Sequence, residues 1–148
     1  HRALPFPCLL CAARLAGQIH KEYLAVAGGV FSGSGVIDAP IIRPDPGKTL
    51  RAVGEGGEHA VTNWEALKTD GVVTLLRVRP ETGRTHQIRV HFAYLGAPLV
   101  GDTMYGSTDT RLSHQALHCE KVRFTHPVTG EGLEITAPMP KDMAALLK

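Results

Sequence analysis

The chain has 148 residues, of which 43% are hydrophobic, and its 16 basic and 14 acidic residues give a formal net charge of +2. This length suits one domain with a real core, and this apolar content excludes a disordered chain. No apolar run approaches the ~20 residues that a membrane-spanning helix needs, so we expect no membrane partner, and the balanced charge alone does not indicate nucleic acid.

The N-terminal third begins irregularly and then becomes extended. Residues 1–7 contain two prolines, which exclude a regular helix or a central strand there. Residues 12–19 have the composition of a short helix that a glycine weakens. Residues 21–26 alternate as in a strand, with Lys21 and Tyr23 on the same face.

The middle of the chain reads as short β segments separated by turns. Asp70-Gly71 is a strong hairpin signal. The strand after it alternates well, so Arg77 and Arg79 share one face and the apolar residues Leu76 and Val78 share the other. The predicted strands cover residues 35–41, 50–53, 60–64 and 72–79.

A helix follows the last of these strands. Thr85 is the expected N-cap, because its hydroxyl can accept from a free amide of the first turn. Gly96 is the expected C′ residue, and Pro98 prevents the helix from resuming. Free amides at the helix start, beside arginines, predict an anion site for which phosphate is the natural candidate. The predicted apolar face consists of Ile88, Phe92 and Leu95.

The C-terminal third predicts a further hairpin. Residues 107–113 are a polar loop, and residues 114–124 alternate as a strand. A turn at residues 126–131 leads to a strand at 133–137, and residues 142–148 form a short terminal helix or tail. The predominance of short strands over helices predicts the α+β class.

Three stretches carry a resemblance to a known family. Residues 82–91 read Thr-Gly-Arg-Thr-His-Gln-Ile-Arg-Val-His, and Gly101-Asp102 and Tyr105-Gly106 follow them. This run closely resembles the C-terminal signature of the RluA-type pseudouridine synthases, which isomerise uridine in RNA. Residues 21–26 are similar to the second motif of the family, and residues 117–140 to its C-terminal end.

The resemblance implies both an architecture and an activity. We expect a mixed, mostly antiparallel β-sheet flanked by few helices, forming a single, truncated catalytic domain over residues 1–148. The implied reaction needs no cofactor, and the implied partner is ribosomal or transfer RNA. The oligomeric state, the RNA and the target uridine are left open.

The resemblance also implies roles for particular residues. Tyr23 matches the tyrosine that stacks on the target base, a contact typically worth ~1–3 kcal/mol. Arg89 matches the arginine that pairs with the catalytic aspartate of the family, and Leu117 matches an apolar residue of the uracil pocket. The residues expected to line the site or bind RNA are Lys21, Arg79, Arg84, Thr85, His86 and Gln87.

The first motif of the family is not intact in this chain. That motif runs His-Arg-Leu-Asp, whereas this chain opens His-Arg-Ala-Leu, so that Leu4 holds the place of the aspartate. We therefore hypothesise a synthase fold without a working catalytic residue. The alternative function is a catalytically dead RNA-binding module, which would retain salt-sensitive RNA affinity without turnover.

Two other kinds of site were weighed against this interpretation. A metal site could use His86, His91, His118 and Cys119, but the five-residue spacing of the first two suits zinc poorly on a helix. Cys8 and Cys11 form a C-x-x-C pair that is better explained as buried filler. We therefore expect no metal. The odd count of three cysteines indicates a reducing compartment, so we expect a cytoplasmic protein.

Overall fold

A computed structural model describes residues 19–126 and 128–147, which form eight strands and few helices. The predictions for residues 1–18, which include Leu4, the Cys8–Cys11 pair and all of the short helix but its last residue, lie outside this part of the chain, and Ile19 begins a strand. The strands are β1 (Ile19–Ala27), β2 (Ser34–Asp38), β3 (Ile41–Ile42), β4 (Ala52–Val53), β5 (Val61–Thr69), β6 (Thr74–Pro80), β7 (Leu117–Thr125) and β8 (Gly132–Thr136). The helices are α1 (Gln87–Tyr94) and α2 (Lys141–Ala144), with 3-10 turns at Thr103–Tyr105 and Ala145–Leu147.

Six strands form one sheet in the order β2-β5-β6-β1-β7-β8, and β3 and β4 form a separate pair. Each pairing between neighbouring strands of the described chain is antiparallel. The prediction of an α+β domain with a mostly antiparallel sheet is therefore confirmed. Strands β1 and β6, which carry the predicted Tyr23 and Arg79, lie in the middle of the sheet.

Alternation along the central strands divides the core between the two faces of the sheet. Ala25 of β1 belongs to one cluster with Leu76 and Val78 of β6, and α1 covers this cluster with Ile88 and Phe92. The neighbouring Val26 belongs to a second cluster on the opposite face, which Met143 of α2 and the last 3-10 turn cover. The shared face predicted for Leu76 and Val78 is confirmed, and Ala25 and Val26 lie on opposite faces, as alternation requires. Trp64 is partly buried and packs against the first cluster.

The start of α1 differs from the prediction. His86, rather than Thr85, is the N-cap residue, and its φ of 56° lies in the left-handed region. A residue in this conformation cannot continue a right-handed helix, so α1 begins at Gln87 and the N-cap prediction for Thr85 is wrong. The other end agrees better, because Gly96 has the positive φ of a C′ glycine. Leu95 is 44% exposed, so it does not belong to the apolar face.

Several strand boundaries also differ from the sequence estimate. Strand β5 runs five residues beyond Trp64, because cross-strand pairing with β6 continues to Thr69. The strand expected from His114 begins only at Leu117. The strand expected over residues 35–41 ends at Asp38, before Pro40. Within the described chain, no helix is long and apolar enough to cross a membrane.

Candidate active-site cleft

One cleft collects most of the predicted site residues. It has a volume of about 1120 Å³ and lies between β1, the end of β6, the segment leading into α1, and the start of β7. Thr85 is exposed and is not among the described residues that line it. The predicted residues that do line the cleft are Lys21, Tyr23, Arg79, Arg84, His86, Gln87, Arg89 and Leu117.

An irregularity in the sheet lies beside Tyr23. Tyr23 pairs with Val78 on one side of β1 and with Cys119 on the other, and it packs against the cluster under α1. The register between β1 and β7 shifts between Glu22 and Tyr23, so that Glu120 is left as an extra residue. The bulge therefore lies on β7, and it changes which residues of that strand stand opposite β1. Glu22 and Tyr23 both line the cleft.

The guanidinium of Arg89 is held by a buried carboxylate. Its Nε donates to Asp102 Oδ2 at 3.0 Å and its Nη2 to Asp102 Oδ1 at 2.8 Å, a bidentate geometry. The Asp102 side chain is 1% exposed and that of Arg89 13%. Hydrogen bonding to Asp102 raises the pKa of Arg89, so the guanidinium stays charged. Its carboxylate partner among the described residues is thus Asp102, and the family aspartate expected at Leu4 lies outside them.

Tyr105 joins Arg89 to His86. The Arg89 guanidinium lies 5.1 Å from the centre of the Tyr105 ring, a cation–π distance. The Tyr105 hydroxyl accepts from the Arg51 amide at 3.0 Å and forms a hydrogen bond of 2.8 Å with His86 Nδ1. Neither Asp102 nor Tyr105 was predicted as a site residue, although both lie in motif segments that the sequence singled out.

His86 is held as a neutral ring. Burial, together with the charges of Arg89 and Arg51, lowers the pKa of His86 from its ordinary value of 6.5. Because Nδ1 is bonded to Tyr105, Nε2 is the ring nitrogen that remains for a ligand. His86 therefore suits a polar group of a ligand as a neutral ring, rather than phosphate as a counter-charge.

The Gln87 side chain is a structural link rather than a free ligand group. Gln87 is 4% exposed. Its Nε2 donates to the Val61 carbonyl and to Thr62 Oγ1, and its Oε1 accepts from Thr82 Oγ1 and from the Arg84 amide. These four bonds use both amide hydrogens and both lone pairs of the carboxamide oxygen. They fix the segment between β6 and α1 against β5.

A buried chain of hydrogen bonds continues from Gln87 through His91. The Nε2 atom of His91 lies 2.9 Å from the Ala39 carbonyl, which only accepts, so Nε2 carries the proton. Nδ1 then accepts from Thr62 Oγ1 at 2.7 Å, and Thr62 in turn accepts from Gln87. This chain requires a neutral His91, and its ring is fully buried.

Because of this chain, stability should fall as the pH is lowered below 6.5. Burial lowers the pKa of His91 from 6.5, so the unfolded chain binds a proton there before the folded chain does. One such group contributes up to ~1.4 kcal/mol per pH unit to the free energy of unfolding. His86 acts in the same direction. We expect His91→Gln to flatten the slope below pH 6.5 while lowering stability at neutral pH, as measured by urea unfolding.

The matched control for this experiment is His59→Gln. The His59 side chain is 69% exposed and lies near the equally exposed Asp38. We expect His59→Gln to leave both the neutral-pH stability and the acid slope nearly unchanged. An unchanged acid slope in His91→Gln would contradict the neutral, buried chain described above.

Arg84 and Arg79 stand at the rim of the cleft with carboxylates nearby. Arg84 Nε donates to the His59 carbonyl at 2.8 Å, and its Nη1 lies 3.3 Å from Glu58 Oε2. Arg79 is half-exposed and its Nε lies 3.4 Å from Glu22 Oε2. Both guanidiniums keep further N–H donors, because the group carries five.

The described residues do not assemble the alternative metal site. Within residues 19–126 and 128–147, no group of three or more histidine, cysteine or acidic side chains is placed to hold a metal ion. Both ring nitrogens of His91 already bond to Thr62 and Ala39. Burial also raises the pKa of the Cys119 thiol, which disfavours the thiolate that zinc needs.

Comparison with known proteins gives a consistent set of relatives. A family model described as RNA pseudouridylate synthase matches residues 11–94. The chain is 42% identical to an uncharacterized RNA pseudouridine synthase of Bacillus subtilis (strain 168), over 95% of this chain and 50% of the relative. It is 41% identical to the ribosomal large subunit pseudouridine synthase D of Escherichia coli (strain K12), over 88% of this chain and 44% of the relative. The chain thus spans about half the length of these relatives.

Solved structures show the same architecture. The human RNA pseudouridylate synthase domain containing 1 superposes with a TM-score of 0.75 at 28% identity, over 88% of this chain and 59% of that protein. The human RNA pseudouridylate synthase domain containing 4 superposes with a TM-score of 0.70 at 22% identity, over 91% of this chain and 63% of that protein. At that lower identity, the second comparison speaks for the fold alone.

Proposed function

The chain belongs to the RNA pseudouridylate synthase family, and from that premise we propose that its cleft binds RNA and is the site at which the family isomerises uridine to pseudouridine. The observation that supports this proposal is convergence. Lys21 and Tyr23 on β1, Arg89 on α1 and Leu117 on β7 are far apart in sequence and line one cleft. These are the positions that match the motifs of the family.

The proposed reaction moves the uracil ring without a cofactor. The bond between N1 and the sugar C1′ breaks, the ring turns, and a bond between C5 and C1′ forms. The hydrogen on C5 leaves as a proton and N1 gains one, so the reaction is an isomerisation. In this scheme Tyr23 stacks on the ring, Leu117 packs against it, and the charge of Arg89 lies close to the reacting groups.

The acid that the family uses is the open part of this proposal. Leu4 holds its place, and Asp102, the carboxylate beside Arg89, is buried with both oxygens on that arginine. A carboxylate in that state is not exposed for attack on a sugar. A catalytically dead RNA-binding module is therefore the second candidate function, and it shares the cleft and the RNA with the first.

Gel retardation and tritium release on one preparation test the two candidates. We expect the parent to retard bulk RNA and to release no tritium from C5-labelled uridine. Leu4→Asp should release tritium about tenfold above background, less than the ~10²–10⁴ that a positioned acid or base contributes, because the flanking motif is altered. The matched control is Leu4→Asn, which has the same shape without the charge and should stay at background.

The possible results distinguish an active synthase from a dead RNA-binding module. Tritium release by the parent would show that another carboxylate works and that the chain is an active synthase. Binding without release by any of the three proteins would favour the dead module. Failure of the parent to retard RNA at low salt would contradict both candidates.

The finer parts of the proposal concern the RNA and its location. We infer a ribosomal RNA substrate, since several relatives are named for the large ribosomal subunit, with transfer RNA as the alternative. A cytoplasmic location follows from such a substrate. Retardation of ribosomal and transfer RNA transcripts at equal salt distinguishes the two substrates.

A further inference from the structure

The buried carboxylate of Glu22 lies close to three arginines, which belong to the two strands next to β1. Glu22 Oε2 lies 2.6 Å from Arg123 Nη2 and 3.4 Å from Arg79 Nε, and Glu22 Oε1 lies 3.5 Å from Arg77 Nε. The Glu22 side chain is 9% exposed, whereas those of Arg79 and Arg123 are 50% and 52% exposed. The Glu22 carboxylate is thus shielded from solvent, whereas the guanidiniums of Arg79 and Arg123 are half-exposed to it.

Glu22 and the two half-exposed arginines come from three adjacent strands. Arg79 is on β6, Glu22 on β1 and Arg123 on β7, which is the order of these strands in the sheet. Burial disfavours the charged form of Glu22, but the charge of Arg79 and the hydrogen bonds from Arg79 and Arg123 outweigh it and lower the pKa of Glu22. Glu22 is therefore ionised and fixes both guanidiniums on a rigid part of the sheet.

The remaining carboxylates around these arginines are weaker partners. Arg79 Nη1 lies 3.9 Å from Glu65 Oε1, and Arg123 Nε lies 3.6 Å from Glu134 Oε2. Both distances exceed a hydrogen bond, and both acids are 48% exposed. Exposed pairs of this kind contribute little, so a phosphate could replace these acids without a large loss. Each guanidinium then has N–H donors left for bidentate contact with an anion.

Arg79 and Arg123 also lie where an RNA strand in the cleft could contact them. Arg79 and Arg123 line the same cleft as Tyr23 and Arg89. Arg123 additionally lines a smaller groove of about 310 Å³ that His20, Phe124 and Leu133 also border. Arg123 therefore borders both the cleft and a groove along β7 and β8, and an RNA strand that leaves the cleft along this groove would pass it.

We propose that Arg79 and Arg123 form a phosphate subsite for the RNA backbone beside the target nucleotide, with Glu22 as the buried residue that positions them. This inference rests on the proposed function, because it presumes that the cleft takes RNA. Arg123 carries no prediction from the sequence, and its contact with Glu22 spans 101 positions of the chain.

RNA binding by two variants, measured over a series of salt concentrations, tests the subsite. Arg123→Gln should weaken retardation of bulk ribosomal RNA about tenfold and reduce the slope of log affinity against log salt by about one. The double variant Glu22→Gln/Arg123→Gln removes both charges of the pair. It leaves the net charge of the protein unchanged and no buried carboxylate without Arg123, and it should show at least the same loss, because Arg79 also loses the residue that positions it.

Arg111→Gln is the matched control. Arg111 is 47% exposed, pairs with Asp109 and is not among the described residues that line the cleft. We expect less than a twofold change in its affinity for RNA. Thermal unfolding followed by circular dichroism identifies folded variants, and the double variant decides the question if Arg123→Gln does not fold.

Each outcome has a definite meaning. If the double variant binds RNA as tightly as Arg111→Gln does, the subsite is wrong while RNA binding by the cleft stands. If the parent itself does not retard RNA at low salt, the proposed function fails and the subsite fails with it. A tenfold loss at unchanged net charge supports the subsite, because overall charge then cannot explain it.

Discussion

Asp102→Ala is expected to lower the free energy of unfolding by about 3–5 kcal/mol, because removal of one partner leaves the other charge of a buried ion pair uncompensated. Asp102 receives two hydrogen bonds from Arg89, and its side chain is 1% exposed. The loss should also release the Arg89 guanidinium from its place in the cleft. Urea unfolding of the parent and the variant at neutral pH measures the change.

An exposed pair of the same kind provides the control. Arg111 and Asp109 also make a bidentate contact, with Nε to Oδ1 at 3.1 Å and Nη2 to Oδ2 at 2.8 Å, but their side chains are 47% and 26% exposed. Asp109→Ala should therefore cost no more than about 1 kcal/mol. Equal costs for the two substitutions would contradict the claim that burial gives the Arg89–Asp102 pair its weight.

Gly101→Ala should be destabilising by about 3 kcal/mol or more, through strain and overpacking together. Gly101 has a φ of 80°, and a Cβ there would lie 2.0 Å from the His114 carbonyl oxygen. That oxygen belongs to the backbone, so it cannot turn away as a flexible side chain would. Because Gly101 precedes Asp102, the shift should also disturb the ion pair with Arg89. Thermal and urea unfolding measure the loss.

Gly96→Ala separates the two causes. Gly96 has the same φ of 80°, but a Cβ there would meet no atom within 4 Å. It should therefore show only the cost of the left-handed conformation, about 1–2 kcal/mol. If Gly101→Ala is no worse than Gly96→Ala, the close approach of residues 101 and 114 is not a constraint on the fold.

The parts of the fold that follow from local patterns could be predicted from the sequence. Alternation predicted which apolar residues of β6 share a face, and β1 follows the same rule at Ala25 and Val26, because successive side chains of a strand point to opposite faces of the sheet. Gly96 marked the end of α1, because a C′ residue needs a positive φ and glycine adopts it without strain. Most of the predicted site residues do line one cleft. They were predicted from family motifs, which group residues that act at one site, and not from composition.

The rest depends on contacts between distant segments, which no local pattern contains. His86 adopts a strained conformation while Tyr105, nineteen positions later, bonds its ring, and an N-cap preference for threonine cannot anticipate this. Gln87 looks like a ligand group in the motif, yet β5 uses its amide. Glu22 and Arg123 meet only because β1 and β7 are neighbours in the sheet.

The central place of β1 has a consequence for any base that Tyr23 is to meet. Strand β1 is paired along both of its edges, with β6 and with β7, so Tyr23 is attached to the least mobile kind of backbone. A base inside a helix of RNA has both of its faces covered by its neighbours. Since the tyrosine cannot travel to such a base, the nucleotide has to rotate out of its stack. The free energy of unstacking is then a cost of distorting the RNA and not the protein. This cost is smallest for unpaired or poorly stacked uridines, so the cleft would favour them.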